Sequence, residues 1–357
     1  MANTFLTPEV VAKEALMVLG ANLVMADLVH RDYADDFVAV GDTVSIRKPA
    51  KFVAKNFTGT AEAQDITEGS VSVKLDRFRD VTVAVTAKEM SLDIADFSRQ
   101  VVEPAMQAIA QAIDQDLLAE AVAQAQKMED GTKDAQDLSD IAALAKHLDM
   151  AKAPIQNRSL VLHPEHKYRY ALTDNLSNVS YAGDNETLRD ALLGRVYTLD
   201  TYMDQNAPDS AAAAPGTAKT FAVTGTKGQE AVTVSGLEGT IAAGDGFILD
   251  GYLYRFTQGG TGKLTIDQKL MGDYNAAAVT PVNAPHSVAF HRNALALVSR
   301  NLALPMGAAN AAYASAGGLG VRVVYDYDAT TKTDKISFDV IYGVKALEKS
   351  LICGIRG

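Results

Sequence analysis

The chain has 357 residues, 48% of them hydrophobic and 22% charged, with a net charge of -11. This is an ordinary globular composition for two to three domains. It offers no apolar run of the length a membrane span needs, and its scattered basic residues exclude tight, sequence-specific DNA binding, which relies on neutralising phosphates. The one cysteine, Cys353, excludes an intramolecular disulfide framework and fits a reducing compartment.

The opening MANTFLTPEVVAKEALMVLG lacks the basic region, apolar core and cleavage site of a signal peptide. Thr7, Pro8 and Glu9 form a helix-start signal, with Pro at the first helical position. Val11, Ala15, Val18 and Leu19 then make a short amphipathic helix. It has two equal readings, packing on its own chain or reaching to a neighbour. Asp35 and Asp36 follow in a turn.

Residues 41–87 change period. Val44 and Ile46, then Val71, Val73 and Leu75, then Val81, Val83 and Val85 alternate with polar residues, as strands exposed on one face do. The polar, turn-rich KNFTGTAEAQDITEG lies between them. Such a β-arm buries too little surface alone and is expected to gain order from a partner surface. Arg47, Lys51, Lys74, Arg77 and Arg79 are its candidate intersubunit contacts. Alternation puts Arg77 and Arg79 on one face and Phe78 on the other. That row either meets an acidic surface on another subunit or keeps an edge strand from pairing wrongly.

Residues 88–128 read as one long helix. Val102, Met106, Ile109, Ile113 and Leu117 form an apolar stripe, with Glu103, Gln107, Gln111 and Asp114 on the wet side. Ser91 and Asp93 suit its cap and first turn. Pro104 removes one hydrogen bond and crowds the preceding turn, so a bend is expected over 96–100. A helix this long, one-sided and poor in aromatics is a scaffold.

Asp130 and Gly131 end that pattern, and LSDIAALAKHLDMAKAP gives a further helix stopping before Pro154. RSLVLHP is a short buried strand, PEHKYRYALT a helix start, and LRDALLGRVYTLD another helix-to-strand step. From about 203 to 285, short alternating strands between Gly turns read as an all-β module, a small barrel or sandwich inserted between segments of mixed helix and strand. After His286 the chain returns to the mixed pattern found before residue 203, with a Gly/Ala-rich loop over 310–320 and two long alternating strands at the end.

Chemistry is sparse. His163 and His166 are the one close histidine pair, and Pro164 places them at a strand-to-helix corner where metal ligands converge poorly, so a polar corner is expected. The run GGLG at 317–320 lacks a following Lys-Ser/Thr and a helix, so it is a loop and not a phosphate cradle. GTKG near Gly225 reads as a hairpin turn. Cys353 sits among Leu351, Ile352 and Ile355 and reads as a packed thiol. Asp114 and Asp116 read as solvated charge on the helix flank. No catalytic constellation, metal site or cofactor motif stands out, and a non-enzymatic role is expected.

The order of elements carries a resemblance. NTFLTPEVVAKEALMVL, RDYADDFVAVGDTVSIRKP, TAKEMSLDIADFSRQVVEPAMQAIAQAIDQDLL, AGDGFILDGYLYRF, HSVAFHRNALALVSRNLALP and VYDYDATTKTDKISFDVIYGVKAL follow one another as in the major capsid proteins of tailed bacteriophages. These proteins share the α+β Hong Kong 97-type (Johnson) fold, and the chain most resembles podovirus coat proteins carrying an inserted β-domain. The resemblance implies an N-arm at 1–40, an E-loop at 41–87, and the spine helix of the peripheral domain at 88–128. It implies an axial domain at 129–202 and 286–320, an inserted β-domain at 203–285, and peripheral-domain strands at 321–357. It further implies self-assembly into hexamers and pentamers of an icosahedral virion shell around double-stranded DNA, built in the host cytoplasm. A portal is implied as partner, and a decoration protein is compatible with it. Because no long, charged helical extension precedes the helix at Pro8, a separate scaffolding protein is expected. No Lys–Asn cross-link pair is marked. Two alternatives stay open: an encapsulin-type compartment shell, and a ligand-binding or hydrolytic protein with a β insertion.

Overall fold

The computed structural model describes residues 8–31, 43–48, 69–86, 98–130, 138–173, 176, 193–208, 221–237, 240–241, 243, 245–279, 285–305, 310–316, 318–328 and 333–356. In chain order come α1 (Pro8–Asn22), α2 (Met25–Leu28), β1 (Thr43–Lys48), β2 (Gly69–Lys74) and β3 (Arg77–Thr86). A π-helical turn (Ser98–Val102) leads into α3 (Glu103–Gln124), then β4 (Lys127–Asp130), α4 (Ser139–Met150), β5 (Arg158–Leu162) and α5 (Pro164–Ala171). Next are β6 (Arg195–Val196), β7 (Leu199–Met203), β8 (Ala222–Gly225), β9 (Ala231–Ser235), β10 (Gly246–Leu249) and β11 (Tyr252–Arg255). The chain continues through β12 (Lys263–Thr265), β13 (Tyr274–Ala278), β14 (His286–His291) and β15 (Leu295–Arg300). It closes with β16 (Ala311–Ala316), β17 (Leu319–Asp328), β18 (Thr333–Ala346) and β19 (Ile352–Arg356).

Two compact units result. The first gathers residues 1–22, 31–109 and 297–347, the second residues 23–30, 110–296 and 348–357. The boundary drawn from sequence at 320–321 therefore falls inside the first unit. Residues 348–357 join the second, because β19 pairs with β14 and, in parallel, with β4.

In the first unit β18 is central. β17 runs antiparallel on it from Arg322↔Asp339 to Asp328↔Thr333, and β3 from Arg77↔Tyr342 to Thr86↔Thr333. Ile336, Phe338, Val340 and Tyr342 alternate along β18 and are fully buried, each contributing roughly 1.5–3 kcal/mol through apolar area removed from water. α1 packs on β16 and β17 through Val11, Ala12, Ala15 and Leu19. This decides between its two readings: the helix packs on its own chain. Residues 311–316, read from sequence as loop, form β16, paired with β17 from Ala311↔Val324 to Ala316↔Leu319. AAYASA has little strand preference of its own, and the ladder with β17 overrides it. Of the GGLG run read as loop, Gly318 lies in the turn that follows with φ of 79°, whereas Leu319 and Gly320 already belong to β17.

Along α3 the expected stripe is present: Val102, Met106, Ile109, Ile113 and Leu117 are all buried, and Glu103, Gln107 and Gln111 are exposed. Pro104 is the second residue of α3, directly after the π-helical turn. Proline cannot donate to the carbonyl four residues back, and a widened turn there is one way the backbone accommodates it. Residues 88–97, with Ser91 and Asp93, lie outside the described residues. Two readings need correction. The helix ends at Gln124, and Lys127 and Met128 belong to β4, where pairing with β19 and β11 overrides their helix preference. Asp114 is not on a wet face, being only 1% exposed.

The second unit is built on a mixed eight-stranded sheet in the order β10-β11-β4-β19-β14-β5-β7-β6. On one side Ile141, Leu144 and Leu148 of α4 join Tyr170 of α5, Leu160, Leu162, Leu199 and Cys353 in one apolar core. The β-module is less separate than the sequence suggests. β12-β9-β8-β13 form their own antiparallel sheet, but the β10–β11 hairpin belongs to the larger sheet, with Tyr252 opposite Lys127. β10 is buried along its whole length, as a strand covered on both faces is, and an alternating pattern could not reveal that. Asp250 and Gly251 turn the hairpin with φ of 52° and 78°, the primed turn that Asp-Gly favours.

Arg255 of β11 fastens this module to α3, its Nε donating to the Ala123 carbonyl in the last turn of that helix at 2.8 Å. Asp267 supports the guanidinium electrostatically and, through Oδ1, accepts the Arg255 N–H at 3.0 Å. Arg255→Ala is expected to lower stability by about 1.5–3 kcal/mol, the range for hydrogen bonds to charged groups. The denaturant midpoint measures it, and an unchanged midpoint would show that Ala123 finds another partner.

Candidate assembly surface

The candidate contact residues sit on two different elements. β1 and β2 form a two-stranded ribbon, in register from Thr43↔Lys74 to Lys48↔Gly69. Ile46 and Val73 are buried on it, while Lys74 is exposed. The ribbon comes down on β18 at Gly343: a Cβ there would overlap the Lys74 carbonyl oxygen and stand 3.1 Å from Val73 Cγ1. Only a glycine admits this approach without a backbone shift. Arg47 is placed on β1 opposite Ser70; its side chain, and the whole of Lys51, lie outside the described residues, as do Asp35 and Asp36.

Arg77 and Arg79 belong to β3 and so to the five-stranded sheet, not to the ribbon. They stand opposite Tyr342 and Val340, on the same side as the buried residues of β18 but at the strand end next to Lys74, where Arg77 is half-buried and Arg79 exposed. Arg79 Nε donates to the Tyr342 hydroxyl at 3.3 Å. Phe78 lies on the other face and is 51% exposed, so the alternation read from sequence is present. On that other face Arg322 holds Asp339 through Nε at 2.9 Å and Nη2 at 2.5 Å, and Asp80 of β3 is directly opposite Asp339. Arg322 balances two carboxylates that would otherwise oppose each other across the strands. Lys74, Arg77 and Arg79 are thus brought into one short stretch. Pro104 stands apart at the start of α3.

The buried polar residues do structural work. His163 Nδ1 accepts the Glu165 N–H at 3.2 Å and caps α5, and His166 is buried with Nδ1 2.6 Å from Ser287 Oγ. This is the polar corner read from sequence, and among the described residues no group of three or more His, Cys, Asp or Glu is placed to hold a metal. Cys353 is fully buried, and desolvation pushes its thiol well above the ordinary range. Burial lowers His147 and His291 below the usual imidazole value.

Sequence reading missed three of these groups: Asp114, Arg255 and the Arg322–Asp339 pair. A signal for Asp114 existed. Ala110, Leu117, Leu118 and Ala121 surround it at helical spacing and are all buried, so the buried side of α3 is wider than one stripe. Arg255 and Arg322 act through partners far away in sequence and left no local mark.

No protein-family model and no curated protein matches the sequence. Solved structures do match along nearly the whole chain. A structure from Mycobacterium phage Che8 superposes with TM-score 0.59 at 16% identity, over 93% of this chain and 90% of that one. The capsid of the cyanophage P-SCSP1u gives 0.53 at 12%, over 94% and 88%. The mature capsid of bacteriophage PhiM1 gives 0.51 at 9%, over 88% and 82%. The chain has the fold of phage capsid proteins. At these identities the likeness is one of backbone, and the capsid fold here mixes helices and sheets as expected.

Proposed function

We propose that this chain is the major capsid protein of a tailed phage, which self-assembles into hexamers and pentamers of an icosahedral shell around packaged double-stranded DNA. The near full-length match to phage capsid structures carries this reading. The role is structural, and the protein resides in the virion after assembly in the host cytoplasm. In the Hong Kong 97-type layout the first unit is the peripheral domain, with the start of α3 as its spine. The second unit is the axial domain with the β-module at 203–285. The β1–β2 ribbon is the E-loop, which overlaps a neighbour, and residues 1–40 are the N-arm. A scaffolding protein, a portal and, on the outer face, a decoration protein are its partners. The net charge of -11 suits a shell that contains DNA without gripping phosphates.

Electron microscopy of the purified protein tests this. Capsomers or closed shells are expected, and a monomer under all conditions overturns the reading. Shells of correct size from this chain alone would remove the separate scaffolding protein. Shells filled with a protein cargo in place of DNA would replace the phage with a compartment.

Lys74, Arg77 and Arg79 are the proposed intersubunit contacts, together with Arg47 and Lys51. Reversing Arg77 and Arg79 to Glu should cut shell yield about tenfold or more, since like-charge contact in an interface costs several kcal/mol, while the subunit stays folded. Sedimentation separates the two effects. Pro104 is the proposed place where the spine changes curvature. Pro104→Ala should let regular α-helix extend back through residues 98–102, leaving monomer stability within about 1 kcal/mol and altering particle diameter, which micrographs measure directly.

A further inference from the structure

We propose that the corner of the second unit displaying Met150, Ile155 and Tyr197 is a contact for a second copy of this chain, docking on that copy's acidic surface. The contact rests on the assembly reading and adds to it a surface outside the β1–β2 ribbon and β3. Three large apolar side chains stand in water here. Met150, at the end of α4, is 74% exposed, Ile155 58%, and Tyr197, in the turn between β6 and β7, 52%. Single exposed apolar residues are ordinary, but a group of them held together marks a binding surface.

Much of the local structure serves to hold them there. Arg158 of β5 is fully buried. Its Nη2 donates to the Ala153 carbonyl at 2.7 Å and its Nε to the Pro154 carbonyl at 2.8 Å. Arg195 Nη2 donates to the Ile155 carbonyl at 3.3 Å. The His291 ring bonds the Gln156 backbone, and the Arg292 N–H donates to the Asn157 carbonyl at 3.0 Å. The loop is thus pinned at every residue from Ala153 to Asn157. Arg158 Nη1 also donates to Thr198 Oγ1 at 3.2 Å and pairs with Asp149 Oδ1 at 2.8 Å, which ties the β6–β7 turn and the end of α4 to the same loop. Among the described residues six non-glycines have positive φ, and four of them are here: Lys152 at 57°, Asn157 at 58°, Tyr197 at 44° and Thr198 at 74°. Tyrosine and β-branched threonine rarely adopt such a backbone, and strain of this kind persists where it serves function. An isoleucine held out in water adds nothing to the core. A pinned loop does lose little freedom when a partner covers it, which favours binding.

Charge selects the partner. Lys146 lies one turn before Met150 on the same side of α4. With Lys152, Arg158, Arg195 and Arg292 it outnumbers Asp149 and Asp200, the two carboxylates paired with these arginines. This cationic corner belongs to a chain whose net charge is -11, so the rest of the same chain carries the complementary sign. Duplex DNA would answer the cations but offers Met150 and Ile155 no apolar surface, its bases being stacked away behind phosphates. Corner against acidic surface is a head-to-tail contact, the kind that closes into rings.

Sedimentation and cross-linking on the full chain test it. Ile155→Asp and Tyr197→Asp change exposed side chains and should leave the unfolding midpoint in place. Each should cut the assembled fraction about tenfold or more, the loss expected for an interface anchor. Lys146→Glu should act in the same direction with a smaller loss. Because Cys353 is buried, Ile155→Cys carries the one accessible thiol, and a photo-cross-linker placed on it should join two copies through an acidic segment of the second. Full assembly by both aspartate variants, or cross-links confined within single chains, overturns the contact and leaves the assembly reading standing. A native chain that stays monomeric at every concentration overturns both. Cross-links to DNA in filled particles, with none between copies, assign the corner to nucleic acid and overturn it as well.

Discussion

Phe247→Ala should lower stability by about 3–5 kcal/mol, the range for emptying a buried phenylalanine site. Phe247 is 1% exposed and sits among three other rings. It is stacked on Tyr254 at 5.4 Å, tilted against Phe256 at 4.9 Å and edge-on to Phe221 at 5.7 Å. These rings come from different places. Phe221 precedes the small four-stranded sheet, whereas Phe247 and Tyr254 lie on the hairpin built into the large one. One apolar core, running from Phe221 and Val223 through Phe247 to Leu264 and Leu270, serves both. The loss is a large share of the roughly 5–15 kcal/mol that holds a domain folded. Limited proteolysis should cut first within residues 221–279, at protease levels that leave the native chain whole. A midpoint of thermal unfolding equal to that of the native chain would mean the four rings do not form a common core.

Gly343→Ala should abolish shells while leaving the subunit folded. The added methyl overlaps the Lys74 carbonyl oxygen and lies 3.0 Å from the Lys74 carbonyl carbon, so backbone must move. Overpacking of this kind costs about 1–3 kcal/mol, which a folded unit absorbs. The shift falls on β2 and swings the β1–β2 ribbon off its seat. In the proposed shell the ribbon overlaps a neighbour, so a displaced ribbon points the wrong way and assembly fails for a geometric reason. Gly20→Ala is the matched control. A Cβ there meets nothing within 4 Å, and in α1 the change should stabilise by about 1 kcal/mol. Sedimentation of the two variants gives the answer: intact shells from Gly343→Ala would show that the ribbon is not seated on β18.

Much of the fold was legible because its elements are covered on one side. The stripe from Val102 to Leu117, the alternation on β3 and β18, and the apolar run Leu160–Leu162 of β5 each leave a mark in the residues themselves. The polar corner of His163 and His166 was legible from Pro164 at the start of a helix, and the packed Cys353 from its apolar neighbours Leu351, Ile352 and Ile355. The proposed contacts were half legible. Alternation put Arg77 and Arg79 on one face, but nothing local said that this face continues the buried side of β18, or that Tyr342 would meet Arg79.

What the sequence by itself determined is the set of amphipathic elements and their order, because periodicity and composition are local properties of the chain. Only the tertiary structure decided the elements whose state depends on a distant partner. β4 is a strand because β19 and β11 lie beside it, β16 is a strand because β17 pairs with it, and β10 joins the large sheet through β11, which pairs with β4. Asp114 belongs with these. On a helical wheel it is one more polar flank residue; in the fold it is a buried acceptor for Val24 and Met25, since hydrogen-bond donors freed at one end of the chain are satisfied wherever folding brings an oxygen to them.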